Sequence, residues 1–155
     1  MVLYAVVRVR GTVNVKPKIK KTLSLLRLTR NNHCTLLEEK KEIKGMLQQV
    51  KDYVTWGEIN EETLSAILQK RGRLSGDHQL TEEFVSSATS AKTISDLSKA
   101  ILDGSLHLKE IPELKPVFRL NPPLKGFEGI KRSFVNKGAL GYRGKKINDL
   151  LQRMM

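Results

Sequence analysis

Cysteine is nearly absent from this chain of 155 residues: Cys34 stands alone, which excludes an intrachain disulfide and any thiolate zinc cluster built within the chain. A single cysteine in such a setting reads as a small buried apolar residue. Aromatic residues make up only 5% of the sequence, and the aromatic-basic signature of single-strand RNA readers does not occur. Tyr53 and Trp56 fall on an apolar stripe and read as core. No apolar run approaches the roughly 18 residues needed to span a bilayer. The stretch from Met1 to Val9 lacks the basic-then-apolar order of a secretory leader, so the chain reads as soluble and cytosolic, with no membrane partner. His33, His78 and His107 lie far apart without ligand spacing, and no P-loop, nucleophile elbow or G-x-G-x-x-G is present. Neither a metal, a cofactor nor a small-molecule substrate is expected.

What the chain has in excess is positive charge. Its 28 Lys and Arg against 16 Asp and Glu give a formal charge of +12, a field that repels itself unless a polyanion neutralises it. The hydrophobic fraction of 39% is that of an ordinary folded protein. Charge is also unevenly placed. Residues 1–59 carry twelve basic and five acidic side chains, residues 60–110 six and eight, and residues 111–155 ten and three. Both ends are thus +7 and the middle is −2, so the ends read as a binding surface and the middle as a lobe facing water.

Leu3, Ala5, Val7 and Val9 alternate with Tyr4, Val6, Arg8 and Arg10, the period of a strand with one apolar face and a second face that turns basic at its end. Pro17 suits the first turn of a helix, which continues through Ile19, Leu23 and Leu26 at helical spacing. Asn31-Asn32 marks a turn before a short strand over 34–38. A second helical stripe runs through Ile43, Met46, Leu47, Val50, Tyr53 and Val54, and a third strand over 54–59 overlaps its end. Two amphipathic helices on one face of a small sheet give an α+β sandwich of ferredoxin-like kind over residues 1–59.

In the middle segment, Asn60 followed by two glutamates, Thr81-Glu-Glu-Phe, and Thr93 three residues before Asp96 are helix starts, with Gly104 a helix stop. They predict a small helical lobe over 60–110. Over 111–155, Val117 to Leu120 read as a strand returning to the core, and Ile147, Leu150 and Leu151 as a short helix. Between them, residues 125–146 form a glycine-rich basic extension that is expected to order poorly alone and well on RNA.

The cations nearest the first strand and helix are Arg8, Arg10, Lys16, Lys18, Lys20 and Lys21, with Arg27 and Arg30 further along. Flexible cations beside a helix N-terminus make a phosphate-binding surface. The extension adds Lys125, Lys131, Arg132, Lys137, Arg143, Lys145 and Lys146. Its run Gly138-Ala-Leu-Gly141-Tyr-Arg-Gly144 is read as a flexible RNA-contacting loop rather than a KH-type clamp, because flanking helices are missing. The loop Arg10-Gly-Thr-Val-Asn-Val has a second reading, the phosphate cradle of an acylphosphatase-like hydrolase of phosphate esters or acyl phosphates. That cradle needs glycine where Val15 stands and arginine where Ile19 stands, and a β-branched residue resists its strained backbone. Hydrolysis is the minor alternative.

The run Thr22-Leu23, Leu26, Leu28, Arg30, His33, Thr35, then Met46-Leu47, Val50 and Tyr53-Val54 resembles the large-subunit ribosomal protein L-thirty family, called L-seven in eukaryotes. The stretches Phe118-Arg-Leu-Asn-Pro-Pro-Leu-Lys-Gly-Phe127, 138–144 and 147–154 are similar to its archaeal and eukaryotic branch. Without the long basic N-terminal arm of the eukaryotic members, the chain is closest in kind to the archaeal form. The resemblance implies a non-enzymatic, cytoplasmic, ribosome-bound protein. Its partners would be large-subunit ribosomal RNA and neighbouring large-subunit proteins, with the RNA surface around the first strand and the start of the first helix.

Overall fold

The computed structural model describes residues 2–155, so Met1 lies outside the described residues. Strand β1 (Leu3–Arg8) lies between β2 (His33–Glu38) and β3 (Val54–Glu58), antiparallel to both. Helix α1 (Pro17–Leu25) connects β1 to β2, and α2 (Lys41–Gln49) connects β2 to β3. Pro17 occupies the first turn of α1, where its missing N–H costs nothing. The overlap between the second helix and third strand resolves in favour of the strand. Helix α2 ends at Val50, whose N–H reaches the Met46 and Leu47 carbonyls, and Val54 pairs with Arg8 of β1. Tertiary pairing outweighs a helical repeat there.

Helices α3 (Glu61–Arg71), α4 (Glu82–Ala88) and α5 (Ile94–Asp103) follow. The capping readings hold: the Asn60, Thr81 and Thr93 side chains accept hydrogen bonds from the N–H groups of Thr63, Phe84 and Asp96, and Gly104 ends α5 at a φ of 79°. Strand β4 (Val117–Arg119) pairs with β2 at one edge of the sheet. At the other edge β6 (Gly138–Tyr142) runs parallel to β3, with β5 (Gly129–Ser133) outside it, and α6 (Ile147–Met154) completes the chain's elements. The order across the sheet is β4-β2-β1-β3-β6-β5.

Helices cover both faces of this sheet, not one. Tyr4 and Val6 pack with Leu23, Leu26, Leu47 and Val50 under α1 and α2. Leu3, Ala5 and Val7 pack on the opposite face with Ile67, Leu97, Ile101, Phe118, Leu150 and Leu151. The middle segment is therefore a large part of the main core, and the water-facing part is its acidic side, where Glu61, Glu62, Glu82, Glu83 and Asp96 are exposed. Burial of β1 on both sides also accounts for Cys34, fully buried beside it, whose thiol is pushed up to about 12 by desolvation. Among the described residues, no helix is long and apolar enough to cross a membrane.

The glycine-rich stretch over 125–146 is ordered, contrary to the expectation from its composition. Thr55 Oγ1 donates to the Gly141 carbonyl at 2.9 Å, Arg143 N–H donates to the Trp56 carbonyl at 2.9 Å, and Asn148 of α6 bonds both the Glu58 carbonyl and the Asn60 N–H. At Gly57 of β3 an added Cβ would fall on the Gly144 carbonyl oxygen and against Ile147. Gly57→Ala is predicted to cost roughly 1–3 kcal/mol, lowering the thermal midpoint by several degrees. Gly45→Ala, where a Cβ meets nothing within 4 Å, should leave the midpoint unchanged or higher in the same calorimetric comparison.

Candidate nucleic-acid interface

The loop leaving β1 carries the first group of cations. Lys16, Lys18, Lys20 and Lys21 are exposed on the loop and first turns of α1, and Arg10 is half-buried with its guanidinium 5.3 Å from the Tyr53 ring centre. Arg27 and Arg30 are exposed beyond the end of α1. Lys125, Lys131, Arg132, Lys137, Lys145 and Lys146 are exposed on the C-terminal extension. Three of these candidates, Arg27, Lys125 and Lys137, hold left-handed backbone at φ values of 60°, 65° and 58°. That conformation costs a non-glycine residue roughly 1–2 kcal/mol, and it places each charge at the tip of a tight turn.

Two of the predicted residues are not part of the exposed surface. Arg8 is buried at 1% exposure because it lies on the same side of β1 as Tyr4 and Val6, and that side is covered. Its Nε donates to the Arg10 carbonyl at 2.9 Å and its Nη1 to the Leu28 carbonyl at 2.7 Å. The side chain thus fixes the root of the basic loop and the segment after α1. Arg143 is also buried, with Nε donating to Thr55 Oγ1 at 2.9 Å and Nη2 to the Ala139 carbonyl at 3.0 Å. Its guanidinium lies 4.8 Å from the Phe134 ring centre and 3.6 Å from Glu128. Burial pushes the Glu128 carboxyl up, but its backbone hydrogen bond, Arg143 and Arg153 outweigh that and hold it below the ordinary range. Both arginines position the surface from beneath.

The sequence gives no hint of what joins the two basic ends. Val9, at the start of the N-terminal loop, packs with Ala139 and Leu140 of β6 and with Phe127 in a small separate core. The start of the loop and the extension, about 130 residues apart in the chain, are therefore neighbours in space. No local spacing encodes a contact between residue 9 and residue 139, so only the register of β1, β3 and β6 reveals it. Exposed apolar residues, Val13 in the loop and Ile130 and Val135 in the extension, sit among the lysines of both segments. Such a mixed surface suits sugar edges and phosphates together.

If Arg143 is an internal anchor, Arg143→Ala should lower stability by about 1.5–3 kcal/mol, as read from urea unfolding midpoints. Lys145→Ala, at an exposed position, should stay within about 0.5 kcal/mol of the parent. Equal midpoints for the two variants would contradict the assignment.

The model of the family described as ribosomal protein L30p/L7e matches residues 4–54. The large ribosomal subunit protein uL30 of Archaeoglobus fulgidus is 51% identical over 152 residues, covering 98% of this chain and 99% of the relative. The uL30 protein of Methanocorpusculum labreanum is 49% identical with the same coverage, and that of Thermoplasma volcanium is 50% identical over 99% of this chain and 93% of its own length. With about half its residues shared with archaeal relatives along nearly its whole length, the chain belongs to the ribosomal protein L30p/L7e family, in its archaeal type.

Proposed function

We propose that this chain is a structural, non-catalytic component of the large ribosomal subunit in the cytoplasm. In this reading it binds folded large-subunit ribosomal RNA through phosphates and 2′-hydroxyls and lies against neighbouring large-subunit proteins. The observation that carries the reading is the joint at Val9, Phe127, Ala139 and Leu140, which brings the root of the N-terminal loop against the C-terminal extension, each part of a segment of charge +7. The relatives' name as large ribosomal subunit proteins supports the same partner. The contact residues are Arg10, Lys16, Lys18, Lys20, Lys21, Arg27, Arg30, Lys125, Lys131, Arg132, Lys137, Lys145 and Lys146, with Arg8 and Arg143 holding the surface in shape.

Residues 1–59 are taken as a ferredoxin-like unit, supported by the strand-helix-strand-helix-strand order and the antiparallel β2-β1-β3 arrangement. Residues 60–110 form its helical cover and residues 111–155 the returning strand with the basic RNA-binding extension. The shared core of Leu3, Leu97, Phe118 and Leu150 supports treating these as parts of one folded body. The reading requires no cofactor and no small-molecule substrate. An acylphosphatase-like activity loses its ground because the family consists of ribosomal proteins rather than enzymes.

Each phosphate neutralised by a lysine releases counterions, so affinity for large-subunit RNA should fall steeply with salt, by about 0.7–0.9 logarithmic units per contact. Lys18→Ala/Lys20→Ala should flatten that slope by the same amount per lysine removed, measured by filter binding across a salt series. A parent protein whose affinity does not change with salt would overturn the proposal.

A further inference from the structure

Strand β4 and the segment before it carry two cations, Lys115 and Arg119, apart from the loop and the extension. Alternation along this strand turns Phe118 into the core and leaves Val117 and Arg119 on the other side, with Arg119 opposite His33 and Val117 opposite Thr35, and Lys115 lies just before the strand. Together with the end of α1 these residues line a hollow of about 350 Å³ whose walls include Ser24, Arg27, His33, Lys115, Val117 and Arg119. Three permanent cations converge there, and the walls add the Ser24 hydroxyl and an imidazole. Burial, Arg119, Arg30 and Arg8 lower the proton affinity of His33, and its Nδ1 is buried with no partner. At neutral pH it is therefore an uncharged hydrogen-bonding group.

Like charges gathered in one hollow need a counter-anion. The protein supplies one from a distant segment. The Asp77 carboxylate accepts from Lys115 Nζ at 2.5 Å and faces Arg119 Nη1 at 3.5 Å. It reaches them from an exposed turn over Ser75–Asp77 whose last residue holds a φ of 66°. Asp77 thus pairs with Lys115 and Arg119, while Arg27, the third cation of the hollow, makes no ion pair among the described residues. The negative end of α1 adjoins the hollow, but the Thr22, Leu23 and Ser24 carbonyls of its last turn are taken by the N–H groups of Leu26, Leu28 and Arg27.

We propose that this hollow receives one phosphate group of the RNA backbone, and that Asp77 is the internal anion holding Lys115 and Arg119 in place until the phosphate displaces it. The site rests on the RNA-binding reading above and adds a contact on the β4 edge, apart from the loop and the extension. Asp77 holds Lys115 and Arg119 by direct ion pairs from beyond the hollow's lining, and its exposed turn lets it withdraw without disturbing the core.

The full-length chain is tested on transcribed archaeal large-subunit RNA across a salt series, comparing the parent with Lys115→Ala/Arg119→Ala, Asp77→Asn and Lys18→Ala/Lys20→Ala. The β4 variant should bind about tenfold more weakly and lose about one phosphate's worth, roughly 0.7–0.9, from the salt slope. Asp77→Asn should bind several-fold more tightly at low salt, a gain that misfolding cannot produce, since asparagine accepts left-handed backbone readily. Unchanged RNA binding by both the β4 and Asp77 variants, with a loss in the Lys18/Lys20 variant, would overturn the pocket and leave the proposed function standing. Loss in none of the lysine and arginine variants would overturn both. Inorganic phosphate, followed by phosphorus NMR, separates a free anion from the RNA backbone. Saturable binding that depends on Lys115 and Arg119 while RNA affinity is unaffected would overturn the RNA assignment.

Discussion

Neither face of β1 can meet water, and most of the architecture follows from that. Tyr4 and Val6 on one side and Leu3, Ala5 and Val7 on the other are all buried, so a single helical layer cannot satisfy the strand. Helices α1 and α2 cover the first side. The opposite side draws its cover from α3, α5 and α6, which come from segments of quite different charge. A negative middle segment is thereby placed behind the sheet, its apolar stripe against the core and its glutamates outward. Burial of this kind contributes roughly 1.5–3 kcal/mol per large apolar side chain, far more than any exposed ion pair on this surface.

The same constraint sorts the cations. Those on loops and helix turns remain in solvent, where they cost nothing until a polyanion meets them. Arg8 and Arg143 lie where the covered sheet continues, and both are turned to protein carbonyls and, in Arg143, to Thr55 and Glu128. A buried guanidinium has five donors to satisfy, and matching it with backbone oxygens fixes the loops that bear those oxygens. Arg8 holds the Leu28 and Arg10 carbonyls, and Arg143 holds β6 against β3. The exposed lysines are thus displayed from a frame that internal arginines keep rigid.

Local patterns were readable where local physics decides. The helix starts at Pro17, Asn60, Thr81 and Thr93 and the stop at Gly104 depend on a few adjacent groups, and each appears where the residues place it. Patterns failed where a partner distant in sequence decides. Tyr53 and Val54 continue a helical stripe, yet pairing with Arg8 makes Val54 a strand residue. The glycine-rich extension reads as unstructured, yet it is ordered by Thr55, Trp56, Gly57 and Val9. The candidate surface divides in the same way. Exposed lysines follow from charge alone, whereas the inward turn of Arg8 follows only once both sides of β1 are known to be covered. The strand from Val117 was legible, but Lys115 and Arg119 were not singled out, because their meaning depends on Asp77, which belongs to another segment.

Site-specific photocrosslinking within assembled large subunits tests the central claim most directly, with the crosslinker placed in turn at positions 18, 137 and 82. The account predicts ribosomal RNA adducts from the loop at 18 and the extension at 137, on RNA segments close together in the particle, and none from the acidic helix at 82. RNA adducts from position 82 with none from 18 and 137 would contradict it.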